Sequence, residues 1–188
     1  MNVYDFDRTI FDGDSTVLFI RYLFRKSPAL ALRAPALLGN GLLFVTGTRD
    51  KQVFKERLFQ TIFAPVDDAY ALLPAFWDQH ENRVKGFYRE TRRPDDVVIT
   101  ASPVDIVRPM CERLGIKAVL GSPVDLRTGR YAGNNCHGEE KVRRFREAFP
   151  AATVDDFYSD SHSDDPMARV AKRAFFVRGE RVEPWKFR

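Results

Sequence analysis

Apolar positions follow two different rhythms along the chain. Residues 3–6 form a brief apolar stretch that stops abruptly at acidic residues, the pattern of a short strand. Residues 17–24 then place Leu18, Tyr22 and Phe24 at helical spacing, and helical texture continues, broken at Pro and Gly, to about residue 93. From Pro94-Asp95-Asp96 onward the rhythm changes. The continuous apolar run Val97-Val98-Ile99 reads as a buried parallel strand. A helix follows over 103–114, stopped by Gly115, then a strand over 117–121 and a short hairpin over 124–131 turning at Thr128-Gly129. A helix over 138–149, a strand over 154–159, a helix over 165–172 and a last strand over 174–177 complete the pattern, leaving a polar tail that carries Trp185. Strands alternating with helices imply βαβ units and a mainly parallel, doubly wound α/β sheet of Rossmann-like type. The all-helical stretch 15–92 interrupts that alternation after the first strand. It reads as a helical cap inserted into a core built from 1–14 and 93–188.

Open α/β sheets bind ligands at the carboxyl ends of their strands. Three of the expected strands end on small or acidic polar residues: Asp5-Phe6-Asp7-Arg8-Thr9, Thr100-Ala101-Ser102 and Asp160-Ser161-His162-Ser163-Asp164. Paired carboxylates are hard oxygen donors that suit Mg²⁺, which keeps several waters and accepts a substrate phosphate. A calcium loop is a poor match, because its sixth position needs Gly and holds Ile10.

The chain has 188 residues, 44% hydrophobic and 30% charged, the composition of one globular domain with an insert. Its net charge of +4 is small and dispersed, which argues against a nucleic-acid binder and agrees with an anionic small substrate. Cys111 and Cys136 form no metal-binding or disulfide spacing, so a reducing cytoplasm is the expected location. The opening residues lack the basic start and apolar run of a signal peptide. Residues 27–47 are mostly Ala, Leu, Gly and Pro, yet Arg33, two prolines and Gly39-Asn40-Gly41 interrupt them; they read as a buried or interfacial helical hairpin rather than a membrane span.

The ordered strand endings resemble the haloacid dehalogenase-like (HAD) hydrolases. Asp5-Phe6-Asp7-Arg8-Thr9 resembles their first motif, Ile99 to Ser102 their second, Lys141 their third, and Tyr158 to Pro166 the fourth as written in the phosphoserine-phosphatase-like subclass. The resemblance covers the whole chain, with residues 15–92 where that subclass carries its C1 cap. It implies a Mg²⁺-dependent phosphatase. Asp5 would be the nucleophile that forms an aspartyl-phosphate, and Asp7 the general acid and then base. Thr100, with backbone groups near Ala101 and Ser102, would bind the phosphate, and Lys141 would supply positive charge. Asp5, the Asp7 carbonyl and Asp160 would hold Mg²⁺, and Asp164 would ligate the metal directly or steer a bound water. Asp7 also favours phosphate over carbon–halogen substrates, because family dehalogenases usually lack it.

Two departures bear on this assignment. The subclass lysine precedes a Gly-Glu pair where this chain has His137, with Lys141 one helical turn later, so His137 competes for the role. Ser163 stands where the family often has Asn. In the cap, Asp14 and Arg57 resemble an acid and an arginine that bind substrate in phosphoserine phosphatases. Trp77 reads as helical core, and His80 and His162 as possible edges of the site.

The chain is also similar to the bacterial phosphatidylglycerophosphatase C group, over residues 19–28, 100–103, 136–142 and 158–166. That group is membrane-bound through a segment corresponding to 27–47, which would place Arg21, Arg25, Lys26 and Arg33 against anionic lipid. The preferred reading is hydrolysis of a small soluble phosphomonoester. A lipid-headgroup phosphatase at the membrane, phosphotransfer between metabolites and a non-catalytic phosphate binder are the alternatives.

Overall fold

In the computed structural model of the chain, residues 1–48 and 50–187 are described. Six strands form one sheet: β1 (Val3–Tyr4), β2 (Val97–Pro103), β3 (Ala118–Ser122), β4 (Val154–Ser159), β5 (Ala171–Arg178) and β6 (Arg181–Pro184). Their order is β3-β2-β1-β4-β5-β6, with every pair parallel except β5–β6. β1 is therefore central, and the chain leaves it to one side for β2 and β3 and to the other for β4 and β5. That reversal opens a crevice at the carboxyl ends of the middle strands.

Alternation along the strands builds two cores, one on each face of the sheet. Val3, Val97, Ile99 and Phe157 share one side, where they pack with Val142 and Phe145. Tyr4 and Val98 point to the other, packing with Phe6, Phe11, Ile106 and Val107. The helices here are α1 (Ser15–Lys26), α2 (Ala34–Val45), α3 (Lys51–Phe63), α4 (Leu73–Asp78) and α5 (Gly86–Thr91) from the insert. Later come α6 (Val104–Arg113), α7 (Glu139–Ala148) and α8 (Asp165–Val170).

The insert is not a separate globule. Phe19, Phe63, Phe76 and Trp77 share one buried cluster with Phe6 and Ile106, and the Trp77 indole donates to the Ile106 carbonyl at 2.8 Å. α1 and α4 thus pack against α6 on the sheet, while α2 packs on α3. A turn from the core also presses on α3: a Cβ at Gly129 (φ +71°) would fall inside the backbone of Phe59 and Gln60.

Three segments differ from their sequence expectation. Residues 124–131 make a single bridge, Val124 to Tyr131, around a tight turn rather than a hairpin of strands. The tail pairs as β6 after the two-residue turn Gly179-Glu180, and Trp185 is buried between Phe157 and Phe176. All four β6 residues are exposed, so no apolar alternation marks it. Finally, of the two alternatives for residues 27–47, buried or interfacial, the buried one fails. Pro28–Arg33 form a 3₁₀ helix that leads into α2, and only Leu30 in the first and Asn40 in the second are buried. Leu32, Leu38, Leu42 and Val45 are each more than half exposed. The 18 residues Pro28–Val45 are long and apolar enough, by length and composition, to cross a membrane.

Candidate active site

A cavity of about 430 Å³ lies at the carboxyl ends of β1, β2 and β4, roofed by α1 and α3. β1 ends one residue before Asp5, whose amide still donates to the Tyr158 carbonyl of β4 at 2.9 Å. The chain then turns sharply. Arg8 adopts φ +58°, unusual for a residue with a Cβ, and its amide is held by the Gly13 carbonyl at 2.9 Å. The Arg8 carbonyl accepts from the Lys85 ammonium. This clasp brings Asp5 and Asp7 to the same cavity.

Lys141, on the first turn of α7, is fully buried and its ammonium lies 2.7 Å from both Asp5 Oδ1 and Asp164 Oδ2. Ser159 Oγ donates to the same Asp164 oxygen at 2.7 Å. Burial works against the Lys141 charge, but Asp164 and Asp5 outweigh it and hold the ammonium above the usual lysine range. Burial pushes the Asp5 carboxyl up to about 7, against the pull of Lys141. Of the two candidates for the third motif, Lys141 contacts Asp5, whereas His137 Nε2 sits 3.2 Å from Lys51 Nζ.

Asp7 is gripped from two sides. The Ser15 amide, at the N-terminus of α1, donates to Oδ1 at 2.6 Å, and the Ser102 hydroxyl donates to Oδ2. Thr16 Oγ1 donates in turn to Ser102 Oγ at 2.9 Å. Burial and nearby Asp14 push the Asp7 carboxyl up to about 6, while Ser102 and the Ser15 amide pull it back. A carboxyl poised there can both give and take a proton near neutrality. Thr100 Oγ1 accepts from the Ser102 amide at 3.1 Å, which leaves its own proton to donate into the cavity. The Ala101 carbonyl is already engaged, by Lys55 Nζ at 3.1 Å and Ser122 Oγ at 2.9 Å.

Asp160 lines the cavity, its carboxyl pushed up by burial and pulled back by Arg8. With the Asp5 carboxylate and the Asp7 carbonyl it offers hard oxygen donors. Among the described residues no three His, Cys, Asp or Glu side chains converge as a metal cluster. Two carboxylates plus a carbonyl and solvent remain a donor set that fits Mg²⁺, which binds proteins through few carboxylates. Asp164, committed to Lys141 and Ser159 through Oδ2, lies alongside.

The cap residues fare unequally. Asp14 lines the cavity but also caps α1, accepting from the Val17 amide at 3.0 Å. Arg57 does not line the cavity: it is exposed on α3 and its guanidinium donates to Gln60 Oε1, at 3.5 Å. Two residues along a helix are rotated by about 200°, so Lys55 occupies the inward face instead. Its ammonium bonds the Ala101 carbonyl and Asn135 Oδ1 (3.0 Å), and burial with Lys51 beside it lowers its pKa to about 8. Lys51, one turn earlier, lines the same cavity. Both lysines and Thr16 are absent from the sequence-derived site. The one sequence signal for the lysines was their i, i+4 spacing among Phe54 and Leu58. Trp77 and His80 stay in the helical core, His80 Nδ1 lying 2.7 Å from the Phe76 carbonyl. His162 turns away, between Phe176 and Trp185.

Comparison with known proteins identifies the family. The family model of haloacid dehalogenase-like hydrolases matches residues 3–169, and the chain belongs to that family. Protein CicA of Caulobacter vibrioides is 30% identical, covering 89% of this chain and 81% of CicA. Two crystal structures share the fold. A Bordetella pertussis Tohama I protein of unknown function aligns with TM-score 0.72 at 19% identity, covering 93% of this chain and 87% of that one. A phosphoserine phosphohydrolase-like protein of Francisella tularensis aligns with TM-score 0.58 at 15% identity, covering 93% and 86%.

Proposed function

We propose that this hydrolase is a Mg²⁺-dependent phosphomonoesterase working through an aspartyl-phosphate. The observation that carries the reading is the convergence of Asp5, Asp7 and a buried Lys141 with the Thr100 hydroxyl in one cavity. The Lys141 ammonium favours the ionised form of Asp5 against the effect of burial and orients it through Oδ1. An Asp5 oxygen forms a bond to phosphorus while the ester P–O bond breaks, and protonated Asp7 delivers its proton to the departing alkoxide. Asp7, now ionised, takes a proton from water as that water attacks the phosphoenzyme, releasing inorganic phosphate and restoring Asp5. Thr100 and Lys141 supply charge and hydrogen bonds to the transferring oxygens. Mg²⁺, held by Asp5, Asp160 and the Asp7 carbonyl, would neutralise phosphate charge.

The test is phosphate release, with and without Mg²⁺, from phosphoserine, sugar and nucleotide monophosphates, and phosphatidylglycerophosphate in mixed micelles, with Asp5→Asn in parallel. Turnover that depends on Asp5 is expected. Full activity in Asp5→Asn would remove the nucleophile assignment, and silence across the panel would favour a phosphate-binding protein.

A second reading concerns where the substrate lies. The exposed apolar side chains of Pro28–Val45 adjoin exposed Arg21, Arg25, Lys26 and Arg33, a combination suited to an anionic lipid surface. Phe44 of α2 stacks on Phe54 of α3 at 4.5 Å, and Phe54 lines the cavity, so this face continues into the site. We propose it as the position of a lipid-headgroup substrate. The soluble-metabolite reading instead expects activity independent of detergent and no sedimentation with anionic vesicles. The buried free cysteines suit a cytoplasmic setting for either reading.

A further inference from the structure

One wall of the cavity holds positive charge that no carboxylate contacts among the described residues. Lys141 is matched by two carboxylates, but Lys51 and Lys55 have no ion pair among the described residues. They sit one turn apart on α3 and both face the cavity. Like charges at that spacing repel on a helix, and burial of an ammonium bonded only to neutral oxygens adds to the penalty. Lys55 is in that position: among the described residues it reaches the Ala101 carbonyl and Asn135 Oδ1. Asp14 and Asp7 act on it through space, without contact. Lys51 Nζ meets His137 Nε2 at 3.2 Å, so an imidazole from the core completes the group.

We propose that Lys51, Lys55 and His137 form a second-anion subsite, so that the preferred substrate carries a further oxyanion, a carboxylate or a phosphodiester, beside its phosphomonoester. The proposal rests on the phosphatase reading above and deepens it. Lys55 and Lys51 come from the insert and His137 from the core, so an anion seated among them bridges α3 to the loop before α7. The ligand would replace the charge balance that the protein leaves unmade, and it explains why the inward face of α3 carries lysines where Arg57 points away. A purely structural role for Lys55, tying α3 to the end of β2, makes a different prediction: its loss would weaken every substrate equally.

The experiment compares glycerol 3-phosphate with 3-phosphoglycerate, which differ only by a hydroxymethyl group in place of a carboxylate. A glycerol phosphodiester bearing the same terminal phosphomonoester forms the third arm. Wild type should favour one of the two doubly anionic esters over glycerol 3-phosphate by about tenfold or more in kcat/KM, the scale of a charge-assisted contact. The arm preferred identifies the carboxylate or the phosphodiester. Lys51→Gln and Lys55→Gln should each shrink that ratio toward one, through KM. A ratio within twofold of one in wild type for both compounds, or an unchanged ratio in both variants, overturns the subsite. Calorimetric binding of the same three compounds to Asp5→Asn separates this outcome from failure of the phosphatase reading. Without turnover, a binding preference that both lysine variants abolish upholds the subsite alone, and equal binding of all three removes it.

Discussion

Replacing Lys141 with Met tests the electrostatic frame of the site. The ammonium lies 2.7 Å from each of two carboxylates and is 2% exposed, against 11% for Asp5 and 3% for Asp164. The methionine has similar volume, so packing changes little and the dominant effect is two carboxylates left together without a cation. Removing one partner from a buried ionic group costs about 3–5 kcal/mol. Urea unfolding of Lys141→Met at pH 7 in EDTA should show a loss of that size, with the transition slope unchanged. Adding Asp5→Asn to Lys141→Met leaves Asp164 as the one charge, so the mutual repulsion is gone while the burial cost of Asp164 remains; this should restore about 1–3 kcal/mol, a coupling readable from the double-mutant cycle. Phosphate release should vanish in both. A loss under about 1 kcal/mol in Lys141→Met, with no recovery on adding Asp5→Asn, would refute the claim that this lysine neutralises the pair.

Three further outcomes are expected. Asp7→Asn, given p-nitrophenyl phosphate whose leaving group needs no proton, should release about one equivalent of nitrophenol in a burst and then slow by roughly 10²–10⁴-fold; unchanged steady turnover would displace Asp7 as the base. Gly129→Ala combines a left-handed backbone with overlap onto Phe59 and Gln60, and should lose about 2–4 kcal/mol, seen as a fall in Tm; wild-type Tm would show that the turn does not press on α3. Lys55, with its pKa lowered to about 8 by burial and by Lys51, is cationic below that pH and neutral above it. KM for the doubly anionic ester should therefore rise as pH passes through about 8, with Lys51, His137, Asp14, Asp7 and the Cys136 thiol facing the same group; the step should be missing in Lys55→Gln, and its persistence there would assign it elsewhere.

The parallel core was legible because its strands carry their own evidence. Val97-Val98-Ile99 is apolar on consecutive residues, as a strand covered on both faces requires, and those residues do divide between two cores. β6 carries no such mark. Arg181–Pro184 is an exposed edge, held by backbone pairing to β5 and by the Trp185 ring beyond it, and neither leaves a periodic trace. The exposure of α2 was hidden for the opposite reason. Its composition matches a buried helix, and only its neighbours decide which side of an apolar helix is covered.

The same asymmetry explains which site residues could be read. Asp5 and Asp7 are placed by the end of a strand, a position fixed to within a residue, so naming the strand names the side chains. Lys141 follows from a helix whose first turn must face the strand ends. α3 offers no such anchor. Its apolar residues Val53, Phe54, Leu58, Phe59, Ile62 and Phe63 spread around much of the cylinder, because one side meets the core and another meets α2. A helix with two apolar contacts has no unique inward direction in its sequence, so Arg57 and Lys55 were equally eligible until the Gly129 turn and the Asn135 amide fixed its rotation. Substrate selection therefore sits where sequence is least informative. The chemistry is set by strand ends, and the choice of substrate by the phase of one helix that only tertiary contacts determine.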